Sequence, residues 1–160
     1  MTIVSCNEKS QKIQSRLNSK DSSDQIATFE NDNLQMNNAI AKAKDSFPLF
    51  LIALKNKCNT CTDFAVKMRF MYGEGSGEHI WLNNLYFDDN KLMGEINNIP
   101  ENIDRIKLGD TIEIEKDSLS DWIYIKDGNL MGGYTLKVMY DKMSETEKKQ
   151  LENDIGAKIK

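Results

Sequence analysis

The chain has 160 residues, enough for one domain with room for flexible ends. Its 25 acidic side chains against 21 basic ones leave a formal charge of −4, a balance that argues against nucleic acid as a partner. No apolar run approaches the roughly 20 residues that cross a bilayer, and three cysteines are too few for a disulfide scaffold.

Residues 1–31 are poor in apolar side chains, and the stretch from Asn18 to Gln25 has nothing to bury. Such a segment cannot offset the entropy of ordering and reads as a flexible tail or tether. Within it, Ile3-Val4-Ser5-Cys6 is similar to the end of a bacterial lipoprotein signal, where small residues precede the cysteine that is lipidated. Cys6 is therefore a candidate lipidation site and the one route to a membrane. Only five residues precede it, with neither a basic nor an apolar region, so this stretch alone cannot direct export. The expectation is an envelope lipoprotein if a signal has been truncated, and a cytoplasmic protein otherwise.

The ordered domain is expected to begin near Asp32, which stands as a helix N-cap with Gln35 as its capping-box partner. Met36, Ala39, Ile40, Ala43 and Phe47 follow at helical spacing. Pro48 is expected to break that helix, leaving Phe47 to Leu54 as a second short one packed under a sheet.

From Asp63 the period becomes two: Phe64, Val66, Met68, Phe70 and Tyr72 alternate with Ala65, Lys67, Arg69 and Met71. Gly73 to Gly77 makes a turn, and strands are expected at 79–87, 91–97 and 111–115. Asp127-Gly128 marks a hairpin between strands at 122–126 and 130–139. Ser144 to Glu147 is a capping box opening a C-terminal helix that ends near Gly156. Ile155 and Ile159 are its apolar positions, placed to dock on the sheet. The fold class is α+β: N-terminal helices, an antiparallel twisted sheet or half-open small barrel of five to six strands, and a C-terminal helix. The division is a tail at 1–31, a domain at 32–142 and a C-terminal helix and tail at 143–160.

Glu78-His79-Ile80-Trp81-Leu82, Gly94-Glu95-Ile96-Asn97-Asn98-Ile99-Pro100, Gly109-Asp110, Ser120-Asp121-Trp122 and Gly132-Gly133-Tyr134-Thr135 occur in that order. The set resembles the bacterial family called domain of unknown function 2314, the YegJ-like proteins, over roughly residues 35–142. The likeness implies a small α+β bacterial domain and assigns no activity and no catalytic residue.

The same motifs hold the candidate ligand-binding residues: His79, Trp81, Asp121, Trp122, Tyr134 and Thr135. His79 is the one histidine and the side chain whose ordinary pKa lies near neutrality. On a strand it shares a face with Trp81 and opposes Glu78. Asp121 and Trp122 face Tyr134 and Thr135 across the hairpin. Gly132 and Gly133 either floor a pocket there or relieve crowding beside Trp122.

His79 and Asp121 are of acid–base type, but no nucleophile elbow accompanies them, and the turn at 73–77 lacks the lysine of a phosphate loop. Cys58 and Cys61 have C-x-x-C spacing but follow a helix and precede an antiparallel strand, which suits a local disulfide or two free thiols better than a redox centre. One histidine is a poor supply of further ligands, so no metal and no cofactor is expected. Three readings remain. The first is a non-catalytic module binding an unknown small molecule or protein. The second is a small cytoplasmic enzyme with His79 or Asp121 as general base. The third is a structural module that adds a partner's strand to a sheet edge.

Overall fold

The computed structural model describes residues 29–160 apart from 57, with side chains from 34 onward. Most of the N-terminal tail, with Cys6, therefore lies outside the described residues.

Helix α1, Phe29–Lys55, runs for 27 residues, about 40 Å at the usual rise. Asp32 falls inside it and is not its N-cap. Pro48 lies inside it too, so one continuous helix replaces the two that the sequence suggests. Ala39, Ala43, Phe47 and Phe50 are buried on one face. Because Phe47 and Phe50, either side of the proline, stack on one another and join the same core, packing outweighs the roughly 3 kcal/mol that an interior proline costs.

Six strands follow: β1 (Cys61–Tyr72), β2 (Ser76–Asp88), β3 (Lys91–Ile96), β4 (Thr111–Glu113), β5 (Leu119–Lys126) and β6 (Asn129–Gly132). They form one open sheet in the order β4-β3-β2-β1-β5-β6, every neighbouring pair antiparallel. The alternation read in β1 puts Val66 and Met68 in the main core beneath α1, with Ile80, Leu82, Trp122 and Tyr124. The hairpin at Asp127-Gly128 pairs Lys126 with Asn129 and Ile125 with Leu130.

The expected strand through residues 133–139 is absent. Gly132 and Gly133 both take positive φ, +71° and +65°, and turn the chain into helix α2, Tyr134–Tyr140. Helix α3, Glu145–Ile155, then packs with Leu136 of α2 on the other side of the sheet, while Tyr134 at the start of α2 stays with the main core. Leu136, Leu151, Ile155, Ala157 and Ile159 form a second core there against Ile125 and Leu130. The tail ends beside β6: the Leu130 amide donates to the Lys158 carbonyl, and the Lys158 amide to that of Gly128, both at 2.8 Å.

Ser144 caps α3 reciprocally, its hydroxyl accepting from the Glu147 amide and its own amide donating to the Glu147 carboxylate at 2.8 Å. Ser144→Ala removes one of these partners and is expected to cost about 1 kcal/mol in chemical denaturation. A loss confined to hydrogen-exchange protection in 145–155 would show that α3 frays independently of the sheet.

Candidate functional site

The site lies on the sheet face opposite α1, where three neighbouring strands bring Trp81, Lys67 and Asp121 into one row. The register pairs Lys67 with Trp81 on β2 and with Asp121 on β5. Lys67 and Asp121 are buried, at 8% and 0% exposure. The Lys67 ammonium sits 4.7 Å from the centre of the Trp81 ring and donates to the Thr135 hydroxyl at 3.0 Å. Thr135 Oγ1 donates in turn to Asp121 Oδ2 at 2.5 Å. Desolvation holds the lysine's pKa below its ordinary value, and the nearby Asp121 charge opposes that shift.

Asp121 is fully committed. Its Oδ1 accepts from the amides of Trp122 and Tyr134, at 2.9 and 3.0 Å. Its Oδ2 accepts from the Thr135 amide at 2.8 Å as well as from the Thr135 hydroxyl. Residue 133, the N-cap of α2, is a glycine with no side chain to offer. The carboxylate of a neighbouring strand therefore supplies the acceptors that the first amides of α2 lack. A carboxylate accepting four hydrogen bonds has no lone pair left to take a substrate proton.

His79 is half-buried one register step away, opposite Arg69. Between the pairs Lys67–Asp121 and Met68–Leu119 the ladder shifts, leaving Ser120 as an extra residue. The bulge places the Ser120 hydroxyl 2.9 Å from His79 Nδ1 and 3.1 Å from the Lys67 carbonyl. That carbonyl can only accept, so it takes the single hydroxyl proton. Nδ1 of His79 must then be the protonated nitrogen, which leaves the Nε2 lone pair unengaged by this network.

Burial first, then the charges of Lys67 and Arg69, lower the His79 pKa to about 4, so the ring is neutral at pH 7. The unfolded chain binds this proton near pH 6.5 and the folded chain only near 4. The resulting stability is complete above pH 6.5 and is lost as pH falls through that window, at up to about 1.4 kcal/mol per unit. Unfolding curves at pH 4–7 are expected to show this slope as the difference between the parent chain and His79→Gln.

Two of the expected residues sit elsewhere. Trp122 points into the main core, where its Nε1 donates to the Ala43 carbonyl at 3.0 Å and its ring lies 5.4 Å from that of Phe50. Tyr134 meets the Trp122 ring edge-on at 5.8 Å. The two are neighbours, as the hairpin suggests, but on the core side of the sheet. Gly132 is the contact beneath them: a Cβ there would lie 2.2 Å from the Trp122 carbonyl oxygen and 2.4 Å from its ring.

Lys67 and Ser120 join the site without a sequence signal of their own. Lys67 lies on the polar side of the β1 alternation, which reads as a solvent face, and Ser120 enters only through the bulge. Glu78, on the other face from His79, accepts from the amides of Glu101 and Asn102 and fixes the loop after β3. Cys58 and Cys61 are joined in a disulfide between α1 and β1. Among the described residues no group of three or more His, Cys, Asp or Glu side chains could hold a metal. None of the described helices is long and apolar enough to cross a membrane.

Residues 33–159 match the family described as an uncharacterized protein conserved in bacteria, DUF2314. The chain belongs to this family. The match takes in α1 from residue 33 onward, the whole sheet and α2–α3, so the C-terminal helix is part of the family unit. The uncharacterized protein YegJ of Escherichia coli K12 is 31% identical over 137 residues, covering 86% of this chain and 85% of that one. A Neisseria meningitidis serogroup B protein, named as an ankyrin repeat protein, is 30% identical over 120 residues. That match covers 71% of this chain but 47% of the relative, so the chain spans about half of that protein. No solved structure matches. Within the DUF2314 domain, the site takes His79 and Trp81 from one motif, Ser120 and Asp121 from a second and Thr135 from a third, with Lys67 on β1 between them.

Proposed function

We propose that this DUF2314 domain is a non-catalytic binding module, and that its ligand meets the polar sheet face around His79, Trp81 and Lys67. The observation that carries this reading is the state of the acid–base candidates. Asp121 spends all its acceptor capacity on the Trp122 amide and on the Tyr134 amide, Thr135 amide and Thr135 hydroxyl that open α2. His79, with its pKa near 4, is a weak base at neutral pH. What the face offers instead is fixed hydrogen-bonding groups and a clamped indole, which suit recognition. Strand addition has less support: the C-terminal tail occupies the free edge of β6, and β4 has three residues.

The reading is tested by a thermal-shift screen of small molecules, with mass spectrometry of the same mixtures. The expected result is a saturable rise in Tm without product, lost in His79→Ala. A product whose formation requires His79 would overturn it in favour of the enzyme.

A further inference from the structure

Four polar atoms on this face are buried and have no hydrogen-bond partner among the described residues: Trp81 Nε1, Asn83 Oδ1, and Asn97 Oδ1 and Nδ2. The three side chains are 5%, 8% and 1% exposed. They are also neighbours. Trp81 and Asn83 are two apart on β2 and share a face. Asn97 stands across from Trp81, its amide donating to the Trp81 carbonyl at 2.9 Å, and its predecessor Ile96 points into the main core beside Leu82. The Trp81 ring is held from one side by the Lys67 ammonium, and its backbone amide by Asn98 Oδ1 at 2.9 Å. The indole N–H is thus oriented by neighbours that leave it unpaired.

Buried polar groups in folded proteins are nearly always paired, because each one left unmade costs the desolvation it has already undergone. Four such atoms within one patch of an otherwise packed sheet point to a partner from outside the described residues. Their chemistry says which kind. Trp81 Nε1 and Asn97 Nδ2 donate, and Asn83 Oδ1 and Asn97 Oδ1 accept. A carboxylate would answer the donors and leave both oxygens unpaired, and an ammonium the reverse. A carboxamide, with N–H and C=O on one edge, answers the Asn97 amide edge to edge. Its second lone pair and second N–H remain for Trp81 and Asn83.

We infer that Trp81, Asn83 and Asn97 form a recognition site for a primary carboxamide group of a small molecule. The inference rests on the binding reading above and names its ligand class.

The test is a titration of the 15N-labelled full chain with acetamide and, separately, with acetate, followed at the Trp81 Nε1–H and Asn97 side-chain resonances and at the His79 ring. Saturable movement of Trp81 and Asn97 with acetamide and not acetate is expected, with at least a ten-fold weaker response in Asn97→Leu. Asn83→Ala serves as the second variant should Asn97→Leu fail to fold. Equal responses to both probes, or none to acetamide, would overturn the inference. A screened ligand that moves His79 but leaves Trp81 and Asn97 still would overturn it too, while the binding reading stands.

Discussion

Asp121→Ala is expected to cost about 3–5 kcal/mol, the range for removing one partner from a buried charged network. The substitution leaves the amides of Trp122, Tyr134 and Thr135 without their acceptor. It also leaves the Lys67 ammonium buried with no opposing charge. Since a domain's whole stability is about 5–15 kcal/mol, this variant should be close to unfolded. Lys67→Met should cost far less, on the order of 1–2 kcal/mol. It forfeits one hydrogen bond and one ring contact, while Asp121 keeps all four of its donors. Urea unfolding at pH 7 compares the two. Equal losses, or a loss below about 1 kcal/mol for Asp121→Ala, would show that the carboxylate does not hold α2 to the sheet.

Gly132→Ala is the second large effect, expected at about 3 kcal/mol or more. The new Cβ would meet backbone oxygen and indole carbons of Trp122 at 2.2–2.6 Å, and neither can move without disturbing the main core. The positive φ adds backbone strain. Gly128→Ala is the control: its φ is +73°, but nothing lies within 4 Å of the added carbon. It should show only the cost of a left-handed alanine, about 1–2 kcal/mol. The difference in Tm between the variants isolates the contact with Trp122. Equal shifts would mean that the turn into α2 yields freely and that the glycine serves only its φ.

The sheet was legible because its signals are local. Period two in Phe64–Tyr72, Asp127-Gly128 between strands, and the Ser144–Glu147 box each encode their element within a few residues. Pro48 and residues 133–139 misled for the complementary reason. Whether a helix continues through a proline depends on the sheet beneath Phe47 and Phe50, not on the proline's neighbours. Tyr134 to Met139 carries strand-like residues, but an Asp121 carboxylate from another strand caps that segment as a helix.

The same split runs through the site. His79 and Trp81 share a face by parity alone, and Asp121 meets Thr135 although the hairpin arm is a helix there. Parity also places Trp122 opposite Asp121, on the core side. The burial of Lys67 follows from its place between Trp81 and Asp121 on two other strands, and Ser120 reaches His79 only through a bulge. No local pattern records either.

The central claim is that this face is a pre-arranged hydrogen-bonding surface with a neutral His79, and not an acid–base centre. The nitrogen resonances of the His79 ring, followed from pH 3.5 to 8 in the full chain, test it most directly. The account predicts a neutral ring at pH 7, protonated at Nδ1, with a midpoint near 4. A midpoint of 6.5 or above, or a ring protonated at Nε2 at pH 7, would contradict it and return His79 to the role of general base.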